Sequence, residues 1–205
     1  MSVQFVMAEY MERGEEYQRK ISTESNSRAH RKCKEKLDRS CRESPYVKFM
    51  LKAMSNLGCE VDPERHMVCE PCDPKLIGGF DHDTKEMFLC ENTIYTQKAM
   101  DTVLTHELIH AFDNCRVKYN PDNLRHLACT EIRAANLSGD CFFSREAFGR
   151  FKFRWKAHQQ ECVKERAVKS MLCVRDISKE EAQEVVESVF DACFHDTEPF
   201  ERIPP

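Results

Sequence analysis

No stretch of about 18 consecutive apolar residues occurs anywhere in this chain, so no membrane-spanning helix is expected. Excess positive charge is also missing. The formal net charge is −4, which argues against a general nucleic-acid binder. Met1–Glu16 is too acidic and too polar for a secretory signal or an arginine-rich transit peptide. Internal repeats and low-complexity segments are absent. What remains is a chain of 205 residues, 41% of them hydrophobic, enough for one packed domain with an appendage.

Within it stands His106-Glu107-Leu108-Ile109-His110, an H-E-x-x-H pattern. On a helix, residues four apart lie about one turn apart on one face. Two imidazoles so placed can bind one zinc ion, with Glu107 beside them. Zinc brings the pKa of a bound water toward ~7, and a nearby carboxylate can take its proton as it attacks a peptide carbonyl. Three fixed residues also recur by chance on ordinary helices. Here the context favours the metal. Met100, Val103, Leu104, Leu108, Ala111 and Phe112 recur at helical spacing, and no Pro or Gly interrupts from Ile94 to Asn120. Two histidines and an acid in so apolar a stretch would be costly to bury unpaired.

Catalytic zinc commonly takes three protein ligands. The extended pattern with a third histidine is absent, because Asp113 and Arg116 occupy its glycine and histidine places. The third ligand should therefore come from the helical segment Arg125–Ser138. There Glu131 shares a face with Ala128, Ala134, Ala135 and Ser138, small residues that would let two helices approach closely. His126 is the rival ligand, about 140° away around the helix. An ion pair of Glu131 with Arg116 or Arg133 is the alternative to a metal role. Asp113 can orient a histidine ring or anchor the second helix, or simply be a solvated helix-end carboxylate.

The two segments Thr105-His-Glu-Leu-Ile-His-Ala-Phe-Asp113 and Arg125-His-Leu-Ala-Cys-Thr-Glu-Ile-Arg-Ala-Ala-Asn-Leu-Ser-Gly-Asp-Cys141 together carry a resemblance. So do Pro45–Lys48, Gly78–Asp81, Leu89–Asn92 and Cys193–Pro204. The chain resembles the mitochondrial intermembrane-space metalloproteases that mature and help assemble the membrane-embedded subunit 6 (subunit a) of ATP synthase. The resemblance implies that His106 and His110 hold the metal and that Glu107 is the catalytic acid–base residue. The third ligand is not settled by it. It further implies zinc as cofactor, an ATP synthase membrane subunit as protein substrate, and a peripheral place on the intermembrane-space side of the inner membrane. Two other functions stay open: a non-proteolytic assembly factor for the same subunit, and a nuclear DNA-repair protease with the same motif. Residues 1–44 fall outside the resemblance.

Twelve cysteines are many for a cytosolic enzyme and odd without a signal peptide. The resemblance resolves this, since it implies an oxidising intermembrane space and hence disulfides. Cys115 and Cys129 end one helix and occupy the next, so a bridge between them would fix the pair. Cys162 and Cys173 could both meet one neighbouring element. Cys69-Glu-Pro-Cys72 with Cys59 and Cys90 could instead hold a structural zinc, although a second C-x-x-C is missing.

The expected organisation is a charged, partly flexible N-terminal arm over 1–44 and a catalytic domain over 45–205. Ser22–Ser27 reads as a link, and the basic run from Arg28 to Arg42 as a solvated arm or a stripe touching anionic lipid; Cys33 and Cys41 within it could also sit on a helix tied to the main body. Helices are expected over 45–57, 96–116, 125–138, 144–174 and 178–194, the last opened by Ser178-x-x-Glu181. Residues 58–75 look irregular. Residues 75–90 read as a β-hairpin whose edge could pair with extended substrate. His82 in its turn reads as a surface histidine. The expected fold is mainly α, of the α+β type: a zincin-like protease with a small hairpin.

Overall fold

The structure is a computed structural model and describes residues 28–142 and 155–204. The expected link at Ser22–Ser27 and the first part of the helix expected over 144–174 lie outside the described residues. The fold is mainly helical with one small sheet. The chain divides into two compact units between Leu108 and Ile109.

The first unit opens with α1 (Arg28–Glu43). Its sequence places Cys33, Leu37 and Ser40 on one buried face, and sends Arg28, Arg31, Lys32, Arg39 and Arg42 outward. This basic stretch is therefore an amphipathic helix with a docked side. Cys33 is bridged to Cys69, and Ser40 donates to Asp101 at 2.6 Å. Helix α2 (Pro45–Asn56) starts on Pro45, whose fixed φ and missing N–H suit a first helical position. It buries Val47, Met50 and Met54 and stops before Gly58 at φ +81°, a conformation that glycine adopts without a Cβ penalty.

Residues 58–75 are more ordered than their sequence suggested. They contain the short α3 (Pro63–His66), capped by Asp62, and β1 (Met67–Glu70). β2 (Gly78–Phe80) and β3 (Met87–Cys90) form the expected hairpin, paired antiparallel with Gly79 opposite Phe88. Its turn is set by Asp81, whose carboxylate accepts from the N–H groups of Asp83 and Thr84. β1 adds a third strand parallel to β3, giving the order β1-β3-β2. No local signal announces such a parallel partner, because the pairing spans some twenty residues.

Helix α4 (Gln97–Arg116) runs through the division between the units. The second unit continues with α5 (Leu124–Leu137), a 3-10 turn at Asp140–Phe142, α6 (Trp155–Val174) and α7 (Lys179–His195). Asn123 and Ser178 cap α5 and α7, each accepting a backbone N–H of the first turn. The core of this unit joins Leu127, Ala128 and Ile132 of α5, Val163, Ala167 and Met171 of α6, and Val186, Phe190 and Phe194 of α7. Burying a large apolar side chain contributes roughly 1.5–3 kcal/mol, so this three-helix cluster is the unit's main source of stability.

Ten cysteines are oxidised, but the bridges differ from those expected. Cys129 is joined to Cys193 on α7 rather than to Cys115. Cys162 is joined to Cys141, while Cys173 keeps an exposed free thiol. Cys72 is joined to Cys90. Cys59, Cys69, Cys72 and Cys90 are thus all disulfide-bonded, which leaves no thiolate there for a structural zinc.

Candidate metal centre

Helix α4 sets the site. Thr96 caps it, accepting the N–H of Ala99. Leu104, Leu108 and Ile109 are buried with essentially no exposure, and this apolar packing fixes the rotation of the helix. The histidines at 106 and 110 are consequently half-buried, while Glu107 is 5% exposed. Beside Glu107 runs β2. A Cβ built on Gly78 would lie 2.9 Å from Val103 Cγ1 and 3.6 Å from Glu107 Oε1. The distance to the carboxylate is an ordinary contact, but the one to Val103 is too short for any side chain, so glycine is what lets the strand pass this close to the helix. Among the described residues β2 pairs on one side only, with β3.

In the second unit α5 is buried nearly all round, from Leu127 to Leu137, although it carries Thr130, Glu131, Arg133 and Asn136. Each of these must then find a polar partner. His110 Nδ1 lies 2.9 Å from Thr130 Oγ1, and the Thr130 hydroxyl donates to Asp113 Oδ2 at 2.9 Å. Arg133, 1% exposed, donates from Nε to both oxygens of Asp113 at 3.0 Å. It also reaches the Asp196 carboxylate at 2.6 Å and the carbonyls of Asp196 and Glu198. Arg116 donates to Asp113 at 2.9 Å and to Glu198 at 3.0 Å. Asn136 donates to the carbonyl of Phe194 at 2.9 Å.

His106, His110 and Glu131 each offer a ligand atom, and these atoms all lie within 4.8 Å of one another. His110 Nε2 is 3.7 Å from Glu131 Oε2. Two imidazole nitrogens and one carboxylate oxygen form a donor set that suits a borderline divalent cation such as zinc.

The Peptidase M76 family model matches residues 31–201. The chain belongs to the Peptidase M76 family. It is accordingly a metallopeptidase, and its relatives are named as proteases. It is 50% identical over 196 residues to the mitochondrial inner membrane protease ATP23 homolog of Danio rerio, covering 95% of this chain and 77% of that protein. The Homo sapiens protein of that name is 50% identical over 177 residues, covering 86% and 72%. The Schizosaccharomyces pombe mitochondrial inner membrane protease atp23 is 42% identical over 163 residues, covering 78% and 86%. No solved structure matches.

In this peptidase His126 is not with the other histidines. It is exposed in the first turn of α5, where its Nδ1 accepts the N–H of Asn120 at 3.2 Å. Arg116 and Arg133, set against Glu131 as possible ion-pair partners, face Asp113 and Asp196 instead. Asp113 is not a solvated helix-end carboxylate: it is buried, accepts from the Thr130 hydroxyl that lies against His110, and accepts from Arg133 of α5. His82 sits beside Asp83 in the hairpin turn, away from this constellation.

Sequence reasoning missed Thr130, since a threonine inside a helix carries no signal of its own. Tyr119 lies near enough to Glu131 to feel its charge. Burial first, and then the negative charges of Glu131 and Asp113, push its phenol up to about 12, against the opposing effect of Arg175. It therefore stays neutral near physiological pH. Asp196 is pulled the other way. Burial raises its pKa, but the hydrogen bond from Arg116 and the charges of Arg133 and Arg116 outweigh that and hold it below the ordinary aspartate value.

Proposed function

We propose that this peptidase is a zinc-dependent endopeptidase with a zincin-like catalytic domain, in which His106, His110 and Glu131 hold the metal. The observation that carries this reading is the convergence of those three donors within 4.8 Å, one residue from the buried Glu107. A divalent metal held by these three residues would supply Lewis acidity to the scissile carbonyl and would lower the pKa of water. Glu107 takes the proton of the attacking water and passes it to the departing amine. β2 supplies main-chain groups to an extended substrate, in the manner of an added strand, and Gly78 keeps that strand against Glu107. Thr130 and Asp113 hold His110.

The biological setting follows the relatives' names and the resemblance carried by Thr105–Asp113 and Arg125–Cys141. The site of action is the inner mitochondrial membrane on its intermembrane-space side, and association is peripheral. Among the described residues no helix is long and apolar enough to cross a membrane. The substrate is the N-terminal presequence of the membrane-embedded ATP synthase subunit, whose assembly the protein also assists. The catalytic domain comprises residues 45–205 together with α1, which is docked through Cys33, Leu37 and Ser40. The disulfides accord with an oxidising compartment.

Glu107→Gln decides the chemistry. The variant keeps its fold and metal content and loses cleavage by at least about a hundredfold, the lower end for a lost general base. Normal processing by Glu107→Gln would overturn the assignment. Rescue of ATP synthase assembly by an uncleaving variant would show that binding alone performs the second role.

A further inference from the structure

We propose that Thr130 is a positioning residue for the metal centre: its hydroxyl fixes the tautomer of His110 and, at the same time, the placement of Glu131. The inference rests on the reading of His110 and Glu131 as ligands.

The argument is one of proton direction. A threonine hydroxyl has one proton to give and lone pairs to receive with. Thr130 Oγ1 stands between Asp113 Oδ2 and His110 Nδ1, 2.9 Å from each. Asp113 also faces the Nε groups of Arg116 and Arg133, which can only donate, so its carboxylate accepts on every side. The hydroxyl proton therefore points to Asp113. The hydroxyl oxygen is left to accept, and His110 Nδ1 must carry the proton. In a neutral imidazole that leaves the lone pair on Nε2, the nitrogen 3.7 Å from Glu131 Oε2. The ring is thus presented with its basic nitrogen on the metal side.

Thr130 also precedes Glu131 on α5. The hydroxyl that sets the His110 ring thereby ties the helix carrying the third donor to the last turns of α4. Behind it Asp113 is held by Arg133 and Arg116. Both guanidinium groups are in turn held by Asp196 and Glu198 of the C-terminal segment. The chain of contacts runs from the tail to the Nδ1 proton without a gap. A ligand histidine often donates its second ring N–H to a carboxylate directly. Here the support is handed across to a second helix first, and that places both helices under one constraint.

Thr130→Val removes the hydroxyl and keeps the shape. Thr130→Ser keeps the hydroxyl. Both variants are made in the full chain and compared with wild type in two ways. Zinc affinity is measured by competition with a chromophoric chelator, and the His110 tautomer is read from imidazole nitrogen-15 shifts of the metal-free protein. Thr130→Val should weaken zinc binding 10–100-fold, the usual effect of removing a partner of a ligand, and should lose the Nδ1–H signature. Thr130→Ser should retain both. Zinc binding by Thr130→Val as tight as wild type, or a wild-type His110 protonated on Nε2, overturns the proposal. Should Thr130→Val fail to fold, the wild-type tautomer and the serine variant still decide. Failure of the wild type to bind zinc would strike the ligand assignment instead, and the metal-free tautomer would still test the relay.

Discussion

Adding one carbon at Gly78 should both destabilise the protein and slow it, and the structure says through which atom. A Cβ there would meet Val103 Cγ1 at 2.9 Å and the Phe88 carbonyl oxygen at 3.0 Å. Neither neighbour yields easily. Val103 is β-branched on a helix and has essentially one rotamer, and the Phe88 carbonyl belongs to the strand paired with β2. Inserting a methyl group into a packed contact costs about 1–3 kcal/mol, so Gly78→Ala should fall in that range. Val103→Ala deletes the opposing carbon and should cost about 1.6 kcal/mol at ~0.8 per methyl-sized group, plus a cavity contribution.

The double variant places the new methyl in the vacated space. Its loss should fall short of the summed single losses by about 1 kcal/mol, within the range seen for residues in contact. Recovery is incomplete because the Phe88 contact remains. Urea midpoints at unchanged slope measure all three variants. The same shift moves β2 away from Glu107, so peptide cleavage by Gly78→Ala should fall by up to about a hundredfold, as misplacement near 1 Å can cause. Metal content should not change. Strict additivity, within about 0.5 kcal/mol, or a fully active Gly78→Ala would refute the claim that this glycine exists for close approach.

Replacing both Cys129 and Cys193 by Ser opens a loop of sequence separation 64. Loop entropy puts the loss at about 4 kcal/mol, against about 3 kcal/mol for Cys72–Cys90 with separation 18; thermal unfolding that ranks the two the other way would reject the entropic account. Asp196 gives an acid limb. Its pKa is lower folded than unfolded, so its contribution is present above the ordinary value of about 3.9 and is lost as pH falls through the lower folded value. Melting temperature against pH should show that loss in wild type and a shallower acid limb in Asp196→Asn; identical curves would exclude Asp196 as its source.

The elements legible in the sequence were those with a strong local signature. Ser178-x-x-Glu181 marked the start of α7, Pro45 the start of α2, and the Gly-Gly-Phe and Asp-His-Asp-Thr-Lys run the hairpin. The metal helix was legible because its apolar spacing and its histidines share one period. Rotation along α5 favoured Glu131 over His126 as the residue facing α4, on the strength of the small residues beside it. The illegible features are pairings between distant segments. β1 joins β3 in parallel across an intervening strand. Cysteine connectivity is combinatorial, and proximity in sequence suggested Cys115 with Cys129 where α7 supplies Cys193. In the basic run the cysteines hinted at a helix tied to the main body, but the charges from Arg28 to Arg42 masked the period in which Cys33, Leu37 and Ser40 share a face.

The least legible feature is the most expensive one. Arg133 is almost fully buried in a helix that an apolar side chain would fill more easily. Desolvating ion pairs takes several kcal/mol per ion, and hydrophobic replacements of such groups are often neutral or stabilising. Stability alone therefore does not account for Arg133. Direction does. An apolar side chain cannot tell Asp113 where to point, whereas a guanidinium bonded to both its oxygens, to the Asp196 carboxylate and to two tail carbonyls has no second arrangement that satisfies all its donors. A fixed Asp113 gives the Thr130 proton one destination, and a fixed hydroxyl gives His110 one tautomer. The buried charge is reasonable in this light as the part that converts packing into orientation at the metal centre.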